Sequence, residues 1–385
     1  NDHYVPEVAD PLSPKTFVDE IDDPVFMACQ WTDEQTGGHC PTLARHMTGT
    51  ERKWFTFTNG THVDSLSPEI LNRLYDFLQI YVAEQAPAAN SALIRAAAPV
   101  IYEEAFGISG VTLPPDPIQA QPTHAGAKAA FEAQPQVRIL YDNGAGGASP
   151  GHPYPSFERG YDAFPPPDAQ ARSWYLGADG TLADQAPATP AADGFTWDAD
   201  SRAATNFSGD TAAGEGGLWT ATPPYVWAQD PAGKAVAYAS EPLSSDTTVA
   251  GAGGVDVWVR SSAPNVDLQA TVTEVRPDGK ETFVQSGWVR GKARKLDDEK
   301  STLLEPVLSL RDEHFEALPS DRFVKVTIPL YYQGHVYRSG SRIRVRIGPR
   351  TAISRSGRSP RQSRRGPRRS RSATAARCPR GSSSR

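Results

Sequence analysis

The sequence predicts an α/β unit followed by an all-β unit. Strand–helix–strand–helix text fills residues 24–84, and from about Phe195 the chain becomes a series of short alternating strands almost free of helical signal. With 385 residues, 38% of them hydrophobic, there is room for two or three folded cores.

The α/β unit opens on apolar Val25-Phe26-Met27-Ala28-Cys29. A short segment around Pro41 to Met47 follows, and Trp54-Phe55-Thr56-Phe57 supplies a second strand. Ser67 as N-cap and Pro68 at the first helical position then start a helix. In it Ile70, Leu71, Leu74, Phe77, Leu78, Tyr81 and Val82 recur at three-and-four spacing, which predicts one buried stripe packed on the sheet. Residues 91–106 carry a second, Ala-rich helical pattern interrupted by Pro99.

From about Ser109 to Gly194 the chain is rich in Pro, Gly and Ala, as in Phe164-Pro165-Pro166-Pro167, and reads as a connection. It contains one good strand, Val137-Arg138-Ile139-Leu140-Tyr141, and Trp174, Tyr175 and Leu176 are apolar enough to dock. Beyond it, Val255 to Arg260, Leu268 to Val275, Thr282 to Val289, Phe323 to Leu330 and Ile343 to Ile347 alternate at period two. Pro277-Asp278-Gly279 is a turn, since Pro presets φ and Gly accepts the left-handed position. Short strands with turns between them predict a β-sandwich of the jelly-roll kind.

The last segment, from about Pro349, is an Arg/Ser/Pro/Gly/Ala mixture with few large apolar residues, and it predicts disorder. Twelve Arg and no Asp or Glu follow Gly348, so a formal charge of −6 conceals a body at −18. Clustered Arg can bind phosphate. The abrupt end of strand text after Ile347 instead favours a shifted reading frame, and no nucleic-acid partner is expected. The expected divisions are 1–108 (α/β), 109–194 (connection), 195–348 (sandwich) and 349–385 (tail).

No run of about 18 apolar residues predicts a membrane span, and the opening NDHYVPEVADPLSPKTF lacks a signal-peptide pattern and reads like mid-chain text. Three cysteines are too few for a disulfide framework. Cys29 and Cys40 are near enough to pair in an oxidising compartment, and two reduced thiols are the alternative. Compartment and oligomeric state stay open, with export slightly favoured.

The polar residues of the first unit point to chemistry. Gln30-Trp31-Thr32-Asp33 follows one buried strand and Asn59-Gly60-Thr61-His62 the next. If the strands are parallel neighbours joined by a right-handed crossover, Asp33 and His62 emerge on the same sheet edge, where open α/β folds keep their sites. A buried carboxylate bonded to imidazole Nδ1–H fixes the tautomer and leaves Nε2 free to take a proton from a nucleophile. That is the second and third place of a Ser…Asp…His order.

The segments PVFMACQWTDEQTGG, TNGTHVDSLSPE, VRILYDNGAGG, VDLQATVTEVRPDG, SGWVRG and GHVYRSGSRIRVRI together resemble the cocaine-esterase-like and X-Pro dipeptidyl-peptidase family of serine hydrolases, from about Pro24 to Ile347. The resemblance implies an α/β-hydrolase domain with a helical cap followed by a jelly roll, here with the hydrolase domain truncated. It implies that Trp31-Thr32-Asp33 holds the acid and Gly60-Thr61-His62 the histidine, acting on a small ester, amide or peptide with no metal or organic cofactor. The family's nucleophilic Ser, in a Gly-x-Ser-x-Gly-like elbow, and its oxyanion donors lie upstream of the acid, so the chain is expected to be a fragment, inactive alone. Ser13 reads as a loop serine, and Ser149 and Ser208 follow the histidine and would need another triad order.

Other residues of the sequence could also carry chemistry. Glu34 could replace Asp33, and Asp64 reads as a loop or helix-entry residue. Cys29, His39, Cys40 and His46 match no common zinc spacing. Asn59-Gly60-Thr61 is a formal glycosylation sequon. Trp219, Tyr225 and Trp227 could line a sugar-facing surface or cover a sandwich core. The alternative function is a non-catalytic jelly-roll module binding carbohydrate or protein, with a vestigial hydrolase piece.

Overall fold

The computed structural model describes residues 3–33, 38–60, 62–106, 109–142, 155–198, 204–207, 225–349 and 376–379. They fall into two compact units. The described residues of 11–169 form the first, and those of 3–10, 170–207 and from 225 onward form the second. The second therefore includes a short N-terminal helix, α1 (Pro6–Ala9).

In the first unit, β1 (Val25–Gln30), α2 (Thr42–His46), β2 (Lys53–Thr58), α3 (Pro68–Tyr81), α4 (Ser91–Phe106), α5 (His124–Glu132), β3 (Val137–Tyr141) and β4 (Phe157–Tyr161) follow one another. The sheet order is β1-β2-β3-β4, with the first three strands parallel and β4 antiparallel to β3. Trp54, Ile80, Ile118, Ala127 and Phe131 build a core between α3, α5 and the sheet, with Phe26, Phe77 and Tyr81 packed against it.

Helix α3 departs from the single predicted stripe. Ile70 is buried as expected, but Leu78 and Val82 are 43% and 70% exposed, while Asn72, Arg73 and Asp76 are buried. The helix is covered on more than one side, and polar bonds tie it there. Asn72 Nδ2 donates to Pro114 O (2.7 Å), Arg73 Nη1 to Thr56 Oγ1 (2.7 Å), and Gln119 Nε2 to Asp76 Oδ1 (3.0 Å). Pro68 takes the first helical position, whereas Ser67 makes no side-chain cap. Helix α4 runs through Pro99 rather than breaking there.

Within the stretch 109–169, read as a connection with one good strand, that strand is β3, and the stretch also supplies α5 and β4 to the first unit. Composition misled because β4 is a mostly exposed edge strand without an apolar alternation, held by backbone pairing to β3 and a 2.8 Å hydroxyl bond between Tyr141 and Tyr161.

The second unit is a β-sandwich. Its strands are β5 (Tyr175–Leu176), β6 (Leu182–Ala183), β7 (Ala192–Phe195), β8 (Ala204–Phe207), β9 (Tyr225–Ala228), β10 (Val236–Ala239), β11 (Thr247–Val259), β12 (Asp267–Val275), β13 (Glu281–Arg290), β14 (Val324–Tyr337), β15 (Arg342–Pro349) and β16 (Ala376–Pro379). One sheet runs β10-β15-β12-β13, and β11 pairs antiparallel with β14. Leu268, Ala270, Val272, Val284 and Val289 from the first sheet share a core with Val257, Val326 and Ile328 of the long pair. Gly287 allows the approach of β13 to β14, because a Cβ there would lie 1.7 Å from Pro329 O. The Pro277-Asp278-Gly279 turn joins β12 to β13 as expected, with Gly279 at φ +81°.

Strands β11 and β14 extend well beyond the predicted spans, β11 across a register shift between Gly251 and Gly253. Of the tail expected to be disordered, Pro349 closes β15, and β16 pairs with the edge of β7 (Ala376↔Phe195, Pro379↔Ala192). Strand pairing uses backbone groups and so needs no apolar side chains. The other tail residues lie outside those described. Among the described residues no helix is long and apolar enough to cross a membrane.

Candidate active site

β1 and β2 are parallel neighbours in the register Gln30↔Thr58, so the residues after them leave the sheet at the same edge. Two backbone bonds carry the pairing past the strand ends, Trp31 N–H to Thr58 O (2.8 Å) and Thr32 N–H to Gly60 O (3.3 Å), and Asp33 N–H closes a turn on Gln30 O (3.2 Å). Thr32 Oγ1 lies 2.6 Å from Asn59 O and 2.7 Å from Gly60 O, strapping the two exits together. Below them Trp31 is fully buried against Phe57 and Phe164. Its size and burial explain why a Trp precedes the acid: it roots the turn in the core.

At the top of this frame His62 Nδ1 and Asp33 Oδ2 are 2.8 Å apart. The acid's side chain is 6% exposed and the imidazole's 30%. An ionised carboxylate can only accept, so Nδ1 carries the proton in this bond. His62 opens a 3₁₀ turn, His62–Leu66, that leads into α3. Gly60 is dictated by space, since a Cβ there would stand 2.2 Å from Asp64 Oδ2. Asp64 is therefore a buried residue of that turn, packed beneath Gly60.

The other sequence candidates fall as follows. Glu34, Ser149, Ser208 and Trp219 lie outside the described residues. Tyr225 and Trp227 are on β9, and Ser13 precedes a 3₁₀ turn, Pro14–Thr16. Cys29 and Cys40 form a disulfide, Cα–Cα 6.1 Å, which takes both sulfurs out of the zinc spacing considered above. Asn59 is 5% exposed, so burial leaves no room for a glycan on its amide.

Two features next to this frame were not settled by the sequence. One is the disulfide, which the sequence allowed beside two reduced thiols and whose ring of residues 29–40 encloses Asp33. The other is Glu69 in the first turn of α3, which burial, with a smaller push from Glu158 and against its own backbone hydrogen bond and Arg138, raises to about 7.

Residues 129–354 match the family model of the X-Pro dipeptidyl-peptidase C-terminal non-catalytic domain. Among solved structures, the chain is similar to a CocE/NonD family hydrolase from Staphylococcus aureus at 17% identity and a TM-score of 0.60, over 94% of this chain and 52% of that one. It is also similar to an aminopeptidase from a marine-sediment Thaumarchaeota archaeon, at 13% identity and a TM-score of 0.56, over 94% and 54%. At such identities the likeness is one of fold. The chain spans about half the length of these solved structures. No curated protein matches the sequence. Asp33 and His62 both precede the span that the family model covers.

Proposed function

The chain belongs to the family of the X-Pro dipeptidyl-peptidase C-terminal non-catalytic domain, and from that premise we propose that it is part of a serine hydrolase, carrying the acid and histidine of its triad. In this reading the first unit is a truncated α/β-hydrolase domain and the second a jelly roll. The observation that carries it is the 2.8 Å bond between His62 Nδ1 and Asp33 Oδ2 at the tips of adjacent parallel strands.

The chemistry follows from that bond. A serine Oγ brought to His62 Nε2 gives up its proton as it attacks an ester or amide carbonyl, and the imidazolium that forms is held by the Asp33 carboxylate. The same Nε2–H then protonates the leaving alcohol or amine. Water repeats the sequence on the acyl-enzyme and restores the serine. No metal or organic cofactor enters this cycle. The serine and the oxyanion donors would come from a segment beyond these 385 residues, which accords with the chain's spanning about half the length of the similar hydrolase. Hydrolysis by this chain alone is then negligible. The Cys29–Cys40 bond supports an oxidising compartment, and so export.

The family's description as non-catalytic favours a second reading, in which the sandwich binds carbohydrate or protein and the first unit is vestigial. A fluorophosphonate probe separates the two. We expect no labelling of this chain alone, and labelling with ester turnover when it is assembled with the upstream half of a related hydrolase. Glycan-array binding with no hydrolytic gain on assembly would defeat the proposal. Labelling of this chain alone would place the nucleophile within it.

A further inference from the structure

We infer that the Cys29–Cys40 disulfide is a positioning element of the Asp33–His62 pair, so that the competence of the pair follows the redox state of its surroundings. The inference rests on the roles proposed above for Asp33 and His62.

Asp33 is fixed from one side by the end of β1. Trp31 N–H bonds Thr58 O, Thr32 bonds the carbonyls of Asn59 and Gly60, and Asp33 N–H bonds Gln30 O. In each of these bonds the donor stands at or before Asp33 in the chain. On the other side the chain returns through Cys40 into α2, where the His39 and Cys40 carbonyls receive the Thr42 and Leu43 N–H groups, each at 3.0 Å. The bridge ties this return to Cys29, the penultimate residue of β1, paired in register with Phe57 of β2. Asp33 thus sits in a covalent ring closed on the strand that presents it. Its hydrogen bond to His62 weakens steeply with distance and angle, so tethering both flanks of the acid serves geometry as well as stability.

The two sulfurs differ in access. Cys29 is fully buried and Cys40 only partly. A dithiol reductant would therefore attack the Cys40 sulfur. The S–S bond breaks, Cys29 leaves as thiolate and takes a proton, and the second thiol of the reagent then displaces Cys40. Two electrons pass to the protein, and the reagent departs as a cyclic disulfide.

The test is proton NMR of the full chain. It reads the His62 Nδ1–H resonance that a carboxylate-bound imidazole places downfield of the amides, assigned by its absence from Asp33→Asn. The spectrum is recorded oxidised, after dithiothreitol, after reoxidation, and for C29A/C40A. We expect the resonance in the oxidised protein, its loss on reduction and in C29A/C40A while Trp54 and Phe131 keep their dispersed core signals, and its return on reoxidation. A resonance unchanged by reduction would overturn the inference and leave the proposed function standing. Collapse of the Trp54 and Phe131 signals together with it would also overturn the inference, since the bridge would then be a general staple. Absence of the resonance from the oxidised protein would remove the Asp33–His62 reading itself, and the inference with it.

Discussion

Replacing Glu69 by Gln should make the first unit more stable at neutral and alkaline pH and leave it unchanged in acid. Glu69 stands in the first turn of α3, with its Oε2 buried and without a hydrogen-bond partner. Burial is the main cause that lifts its carboxyl from 4.5 to about 7. A carboxyl raised on folding keeps a proton that the unfolded chain releases, so its contribution is intact below about pH 4.5 and is lost as pH rises through about 7. The gap corresponds to roughly 3 kcal/mol of stability lost across that window. Glutamine has the same shape and cannot ionise. It forgoes the favourable placing of a carboxylate at a helix N-terminus, worth about 0.3–1 kcal/mol. The net expectation for Glu69→Gln at pH 8 is a gain of about 2–3 kcal/mol, against less than about 0.5 kcal/mol at pH 4.5. Urea unfolding at several pH values, followed through hydrogen exchange of the α3 amides, reads the first unit separately from the sandwich. Parallel pH profiles for the two proteins would refute the reasoning, because they would mean that Glu69 ionises in the folded state as it does in water.

The sandwich should respond with the opposite sign. Glu274 and His335 are both fully buried, 2.7 Å apart, and Arg338 N–H also donates to Glu274. Burial pushes the Glu274 carboxyl up, but the bond and charge of His335 and the Arg338 amide outweigh it and hold it below its ordinary value. Its contribution is therefore present above the unfolded value near 4.5 and is lost as pH falls through the lower folded one. Glu274→Gln should cost about 3–5 kcal/mol at pH 7, read as a lowered melting temperature of the second unit; a loss under about 1 kcal/mol would contradict the buried-pair argument. Gly60→Ala places a methyl in the volume of the Asp64 carboxylate. Some 1–3 kcal/mol of overpacking should follow, along with loss of the His62 Nδ1–H resonance, and an unperturbed spectrum would show that the turn has slack.

Strands β1 and β2 were legible because both read as near-continuous apolar runs, with β2 buried along almost its whole length. Whether they pair as parallel neighbours was left open by the sequence; given the pairing observed, Asp33 and His62 come to one edge. The polar side of α3 was not legible. Asn72, Arg73 and Asp76 look like solvent-facing residues until Pro114, Thr56 and Gln119 are brought to them from distant parts of the chain. Strand β4 escaped because its residues obey no alternation, and the disulfide stayed undecided because a spacing of eleven permits pairing without requiring it.

The same contrast explains why the candidate site was readable while its supports were not. A side chain's exit point depends first on where its strand ends, and that end is marked locally where the apolar text stops. What holds it there depends on tertiary neighbours. Thr32 matters because Asn59 and Gly60 present carbonyls to it, and Gly60 because Asp64 folds back beneath it. Trp31 matters because Phe57 and Phe164 close around its ring. Each is an ordinary residue in the sequence and becomes specific only through a partner. A Trp-x-Asp and a Gly-x-His, each unremarkable alone, thus acquire meaning together: the residues flanking the acid and the histidine build one turn-to-turn clamp, and the carboxylate–imidazole bond is the contact that this clamp holds in place.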